Sequence, residues 1–529
     1  MKEACIALFV AAMAALPSAA AIDKPVKTTG GQVSGLPGRD QSIRIFKGIP
    51  FAAPPVGSLR WRAPQPVARW QGVKKAEQFG ASCIQTIVRE MPPWTYEFMT
   101  HNEINEDCLY LNVWTPAKSA TQKLPVYVYI YGGGFQGGSG QVPVYDGEGL
   151  AGKGIVVVTF NYRLGVLGFL AHPELTKESG YHASGNYGLL DQLAALRWVH
   201  DNIAAFGGDP KRVAIGGQSA GSMSVHFLTA SPLAKGLFQR AIAESGGSGV
   251  ASVGGGPIMR SRTLAEAEGD GAKFAAAKRA SSLAELRGMS WQELIKPAPA
   301  AEGGMAALLR YSPIIDGYFA PEPPLDAMSH GKLNDVVTLT GCNVGEISGS
   351  FMGPPAPITA EAFQKQAKQR YGEAADEFLK LYPAGSDEEA RASQAASSRD
   401  ESLVSMYLWA RRRHATAKTN TFIYLWDHTL PGPDAARFGA FHTSEVPYAM
   451  NTLYMSDRPF TERDKKIAEM MSSYWANFVT AGDPNGAGLP VWPAVDEKRE
   501  VLEVGDRNVP VPLADDPAKI AFFEKYLTR

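Results

Sequence analysis

Neither sign of charge dominates this chain. Its 529 residues carry 52 lysines and arginines against 53 aspartates and glutamates, a formal net charge of −1. Such a balance gives no field that would draw in a nucleic acid or an anionic membrane, and neither is expected as a partner. Cysteine is scarce, with four in the whole chain. No CxxC pair and no HExxH occurs, so the spacing of a zinc site is missing and no metal is expected. After residue 21 no apolar run is long enough to span a bilayer, which argues against stable membrane insertion. There is no internal repeat and no low-complexity linker to divide the chain.

What is present is ordinary globular composition, 45% hydrophobic and 20% charged, enough to bury a large core. The first residues read differently. Lys2 opens an apolar stretch, Ala4–Leu16, and Ala19, Ala20 and Ala21 offer small residues at a cleavage point, which is the grammar of a secretory leader. The expectation is a leader over residues 1–21 and one mature domain over 22–529, exported to the periplasm or secreted. The terminal "FFEKYLTR" is too charged to be an anchor signal. Cys5 lies in the leader, so Cys83, Cys108 and Cys342 remain. An oxidising compartment permits one disulfide among them, without saying which. The basic run Arg411–His414 reads as a solvated helix face, with a specific anion site as the alternative.

Six short runs read as buried parallel strands: Leu124–Gly132, Gly154–Arg163, Arg212–Gly217, Ala241–Gly246, Asp335–Asn343 and Thr421–His428. They are rich in β-branched and aromatic residues and apolar on both faces. Helical patterns separate them, the clearest over Asn186–Gly208, where apolar residues recur every three or four positions before a glycine pair. This alternation predicts an α/β fold, a mostly parallel central sheet covered by helices on both faces. Gly249–Leu333 and Thr359–Lys418 read as helical insertions into that domain.

The segment "AIGGQSAGSM" (Ala214–Met223) joins a strand to a helix around Ser219, with Gly217 and Gly221 two residues to either side. A strand that turns sharply into a helix lifts a serine hydroxyl above the sheet edge, and the strained turn needs small neighbours. The helix start then offers free N–H groups and partial positive charge where an oxyanion would form. Further donors are expected from a loop after an earlier strand. "YGGGFQGG" (Tyr131–Gly138) fits that place, and it lacks the Gly-Lys-Ser/Thr ending of a nucleotide loop.

A nucleophilic serine of this type needs an acid and then a histidine later in the chain. His101, His172, His182 and His200 come too early, and His226 lies on the helix behind the serine. His330 precedes the strand that would carry the acid, while His414 and His428 fall on helix-like and strand-like runs. His442 lies in a glycine-containing loop, Arg437–Tyr448, after the last strong strand. Glu346 is the one acidic residue of "GCNVGEISG" (Gly341–Gly349), which follows the strand ahead of it.

At this point the chain resembles the type-B carboxylesterase family, which includes the cholinesterases. "FKGIPFAAPPVGSLRWRAPQP" (Phe46–Pro66), "EDCLYLNVWTP" (Glu106–Pro116), "GNYGLLDQLAALRWVHDNIAAFGGDP" (Gly185–Pro210) and "GQSAGS" (Gly217–Ser222) carry the resemblance, which covers nearly all the mature chain. It implies an α/β-hydrolase that cleaves small to medium, uncharged or aromatic carboxylic esters through an acyl-enzyme, without a cofactor. Ser219 then resembles the nucleophile, Glu346 the acid and His442 the base. The amides of Gly133, Gly134 and Ala220 resemble the oxyanion hole. Cys83 and Cys108 match the family's N-terminal disulfide. Arg60 with Glu106, and Arg163 with Asp191, resemble its structural ion pairs, and Ser245 and Glu445 resemble polar residues behind the histidine. Gln218 stands where cholinesterases carry a glutamate, so a cationic choline-type substrate is disfavoured. Trp94, Tyr96 and Phe98, between the paired cysteines, fit either an apolar gorge wall or the packing of their own loop. The same machinery serves an amidase, a thioesterase or a lipase. A non-catalytic cholinesterase-like binding protein would lack part of the triad.

Overall fold

Strands apolar on both faces must be covered on both faces, and helices fed by parallel crossovers do this. The structure, a computed structural model, describes residues 22–88, 90–246, 261–296, 310–348 and 358–528. The expected leader, 1–21, and two parts of the first helical stretch, 247–260 and 297–309, lie outside the described residues.

Among the described residues fourteen strands follow one another. They are β1 (Val26–Lys27), β2 (Gln32–Ser34), β3 (Leu36–Pro37), β4 (Arg44–Pro50), β5 (Val73–Lys75), β6 (Tyr110–Thr115) and β7 (Leu124–Ile130), then β8 (Val156–Phe160), β9 (Gly208–Gln218), β10 (Arg240–Glu244), β11 (Val337–Asn343), β12 (Thr421–Trp426), β13 (Glu500–Val504) and β14 (Pro510–Pro512). Strands β1, β2 and β5 form a small separate sheet. The rest form an 11-stranded sheet in the order β14-β13-β12-β11-β10-β9-β7-β8-β6-β4-β3. From β8 across to β13 every neighbouring pair is parallel. All six expected strands lie in this stretch, and β8 and β12 are buried at every position. Antiparallel pairing occurs only towards the edges. The fold is that of an α/β-hydrolase.

The chain passes from β7 to β8 on one side, then returns past β7 to place β9 on its other side. That reversal opens a crevice at the C-terminal ends of β7 and β9, where α/β sheets receive their ligands. Register keeps the two ends level: Ile130 pairs with Gly217. On the far side of β9, Gln218 pairs with Glu244 of β10, and further along Asn343 of β11 pairs with Trp426 of β12.

One large apolar cluster fills the space around the central strands. A second gathers the helices Ala360–Tyr371, Asp387–His414 and Pro517–Leu527 over Cys342, Ile423 and Leu425 of β11 and β12. Within the long helix the basic run is not uniformly solvated. Arg411 is exposed and pairs with Glu497, but Arg413 is buried, 3.2 Å from Asp335 and 2.8 Å from the Thr419 carbonyl. The helix end turns Arg413 inward, so it braces the start of β11. Among the described residues no helix is long and apolar enough to cross a membrane.

Cys83 and Cys108 are joined by a disulfide. Closing a loop with 25 residues of separation removes about 3 kcal/mol of unfolded-chain entropy in the polymer picture. Beside it Arg60 pairs with Glu106 at 2.5 Å and donates to the Met289 carbonyl at 2.7 Å, tying the loop's base to the helical segment that follows the sheet strands.

Candidate active site

Strand β9 ends at Gln218 and the helix Ala220–Ala230 begins one residue later. Ser219 makes the whole turn, with φ 59° and ψ −121°. Such a backbone costs a non-glycine residue about 1–3 kcal/mol and persists only where its surroundings enforce it. Here the Ser219 N–H donates to the Glu244 carbonyl at 2.9 Å, pinning the turn to β10. Gly221 must be glycine, since a Cβ there would lie 2.0 Å from the Ile130 carbonyl oxygen.

The glycine loop after β7 lies directly against this turn. A Cβ on Gly132 would sit 2.9 Å from the Ser219 Cβ. Gly133 and Gly134 have φ 106° and 63°, and the Gly133 carbonyl is engaged by the amides of Gln136 and Gly137 at 3.0 and 3.1 Å. Among the described residues the Gly133 and Gly134 amides donate to no acceptor. The Ala220 N–H opens a helix and has no intrahelical partner. Three donors are thereby left available around the serine.

The loops after β11 and β12 bring in the other side. Glu346 Oε2 accepts from His442 Nδ1 at 2.5 Å, with the carboxylate almost wholly buried. Asn343, the last residue of β11, holds both loops: its N–H donates to Glu346 Oε1 at 2.8 Å, and its side-chain amide donates to the Phe441 carbonyl at 2.7 Å and to Glu445 Oε2 at 2.5 Å. The sequence reading did not single out Asn343, because its side-chain partners lie about a hundred positions downstream.

Among the described residues no hydrogen bond joins the Ser219 hydroxyl to His442. Besides Glu346, the Gln218 side chain lies against the imidazole, its Nε2 3.4 Å from Nδ1 and 3.2 Å from Nε2. An atom nearly equidistant from both ring nitrogens lies over the ring face, since an in-plane position would collide with Cε1. Gln218 therefore covers the imidazole without occupying its edge. Hydrogen bonds between catalytic groups are often long before substrate arrives.

Behind this row, Ser245 donates to Glu445 Oε1 at 3.5 Å, and burial raises the Glu445 carboxyl well above its ordinary range. Glu244 is also fully enclosed. Its Oε1 accepts from the Trp475 indole at 3.1 Å and the Tyr127 hydroxyl at 3.5 Å, and Oε2 has no partner among the described residues. Burial pushes Glu244 from 4.5 up to about 7. The folded protein thus holds a proton that the unfolded chain releases between about pH 4.5 and 7, and stability falls as pH rises through that window. Glu244→Gln keeps the Oε1 acceptor and removes the titration. Its stability relative to wild type should climb from pH 5 to 8 by up to about 3 kcal/mol. Denaturant unfolding at several pH values measures this, and parallel curves would rule the Glu244 titration out.

The Arg163–Asp191 pair supports the site from outside. Arg163 donates to Asp191 at 2.8 and 2.7 Å, both side chains being buried. Tyr131 and Tyr162, the residues after β7 and just before Arg163, stack 4.4 Å apart and exchange hydroxyl-to-carbonyl bonds of 3.1 and 2.9 Å. On the loop between the paired cysteines, Trp94 is packed inward at 3% exposure, Phe98 packs on Phe441, and Tyr96 is exposed and stacked on His101. Of this aromatic set, Tyr96 is exposed, Phe98 is half-buried and Trp94 is buried. Cys342 is a buried free thiol, raised by its burial and by Glu346, so it stays unreactive. His226 is buried and pushed down to about 4 by desolvation, and His428 is held between Asp464 and Asp506. Among the described residues no three His, Cys, Asp or Glu side chains converge as metal ligands.

Residues 22–523 match the Carboxylesterase family. The fumonisin B1 esterase of Sphingopyxis macrogoltabida is 36% identical over 518 residues, covering 94% of this chain and 90% of that protein. The para-nitrobenzyl esterase of Bacillus subtilis (strain 168) is 34% identical, covering 90% of this chain and 94% of its own. A solved structure of PNB esterase superposes with a TM-score of 0.77 at 31% identity, over 95% of this chain and 99% of the other.

Proposed function

The chain belongs to the carboxylesterase family and is a carboxylic-ester hydrolase, and we propose that its hydrolysis runs through Ser219 as nucleophile, His442 as base and Glu346 as the acid that orients the base. The observation that carries this reading is the Glu346–His442 contact, assembled at the same sheet edge as a positive-φ serine faced by free amides.

His442 takes the hydroxyl proton as Ser219 Oγ attacks the ester carbonyl. Glu346 at Nδ1 fixes the tautomer that leaves Nε2 as acceptor, and it stabilises the imidazolium that forms. The amides of Gly133, Gly134 and Ala220 take the charge that develops on the carbonyl oxygen, each donor contributing roughly 3 kcal/mol to the transition state. The alcohol leaves with the proton from His442. Water then repeats the cycle on the acyl-enzyme.

Gln218 places an uncharged amide over His442. With no carboxylate at that point, the site favours small to medium, uncharged or aromatic esters over choline esters. The relative named para-nitrobenzyl esterase supports aromatic esters. The leader pattern and the disulfide support a mature domain, 22–529, working in the periplasm or outside the cell.

A fluorophosphonate probe followed by peptide mass spectrometry tests the assignment. The expected result is one adduct, on Ser219, together with faster hydrolysis of p-nitrophenyl butyrate than of butyrylthiocholine. An adduct elsewhere, or none, would remove Ser219 from the mechanism. A preference for the cationic ester would overturn the substrate class alone.

A further inference from the structure

Immediately after His442 the backbone does something costly. Thr443 has φ 85°, and a β-branched residue in that region is a true outlier. The turn that presents the imidazole is therefore strained, and something must hold it. The side chain in place to do so belongs to a distant part of the chain. Trp94 Nε1 lies 2.7 Å from Thr443 Oγ1 and 3.2 Å from the His442 carbonyl oxygen, so one indole N–H is shared between two acceptors on consecutive residues. The ring meets Phe441 edge-on at 6.3 Å, which gives three successive residues of the turn a contact with one tryptophan.

We propose that Trp94 is a positioning residue for His442: its shared indole N–H locks the strained His442–Thr443 turn and so aims the imidazole. The proposal rests on His442 being the base. Trp94 is itself anchored, as a clamp must be. Its N–H and carbonyl both pair with Met91, at 2.8 and 2.9 Å. The disulfide closes the loop around it. Arg458, from beyond His442 in the chain, grips the same loop by donating to the Thr95 hydroxyl at 2.6 Å and the Pro93 carbonyl at 3.4 Å, and by pairing with buried Glu97. The same guanidinium donates to the Pro431 carbonyl at 2.9 Å, on the segment that leads into His442. The loop and the histidine turn thus share two fastenings. A role as a wall of the substrate site does not suit an indole that is 3% exposed.

Displacing a catalytic group by about 1 Å can cost on the order of 10²-fold in rate. Trp94→Phe keeps the ring and removes the N–H. Its kcat for p-nitrophenyl butyrate should fall about 10- to 100-fold with KM within about twofold, and fluorophosphonate labelling of Ser219 should slow in parallel. Thr443→Val keeps the indole and the strain but loses the hydroxyl acceptor, and kcat should fall in the same direction. In the double variant Trp94→Phe/Thr443→Gly, glycine accepts φ 85° without strain, and most of the lost kcat should return. His442→Ala serves as the reference. An inactive His442→Ala beside unchanged kcat in Trp94→Phe overturns the clamp alone, as does a rise confined to KM or a double variant no faster than Trp94→Phe. An active His442→Ala overturns the assignment of the base instead.

Discussion

Ser219→Ala is expected to hydrolyse p-nitrophenyl butyrate at least about 10⁴-fold more slowly than wild type, with a folded protein and an unchanged melting temperature. The substitution removes one oxygen. The turn is held by the Ser219 main chain, through its bond to the Glu244 carbonyl and the close approach of Gly221 to Ile130, and alanine keeps both. What is lost is the proposed nucleophile. The free amides and the Glu346–His442 pair survive, so a residual rate about 10³- to 10⁴-fold above water is compatible with the mechanism. Equal rates in the two proteins would mean that ester cleavage happens elsewhere.

Asp191→Ala should be among the most damaging substitutions to stability. Asp191 holds Arg163 through three hydrogen bonds, at 3.0 Å from its main-chain N–H and 2.8 and 2.7 Å from its guanidinium, with both side chains cut off from solvent. Arg163 Nη1 already has no partner among the described residues. Burial keeps the Asp191 carboxyl above its ordinary value even with Arg163 beside it, so the pair as a whole recovers little of its own desolvation. Removing one member leaves a buried cation, and the expected loss is about 3–5 kcal/mol. The damage should reach the site, because the Gly165 amide donates to the Phe135 carbonyl at 2.7 Å and couples the Arg163 segment to the glycine loop. Urea unfolding measures the loss. Arg163→Met with Asp191→Leu removes both charges and should be more stable than Asp191→Ala. If the double variant is the weaker, packing rather than an orphaned charge explains the effect.

The parallel strands were readable because burial on both faces forces long apolar runs, as in "VVVTF" of β8. The edge strands were not. Strand β4 carries Lys47, Gly48 and Pro50 and has no such run, and it is recruited by pairing with β6 and by the Asn112 side chain on the Gly48 amide at 3.0 Å. The three triad candidates could be ordered because each follows a strand of its own. Residues whose side chains reach distant partners left no local mark. Asn343 looked like a strand end, and Trp94 gave no sign of its bond to a turn nearly 350 positions later. The basic run misled for a related reason. Composition reports charge, but Arg413 is buried by a partner, Asp335, that composition does not identify.

The crossing of β7 between β8 and β9 also bears on the time course of folding. The glycine loop and Ser219 sit on strands that pair early in the chain order, whereas Glu346 and His442 hang from β11 and β12, which join the sheet more than a hundred residues later. Contacts of such long separation are slow to form, and large chains reach them through partly assembled states. A molecule whose first half has collapsed can pair β6 to β9 and still lack Glu346 and His442 at the crevice. If Glu346 and His442 serve the reaction as proposed, recovery of esterase activity after dilution from denaturant is expected to keep time with the docking of β11 and β12 and to lag the return of helical signal.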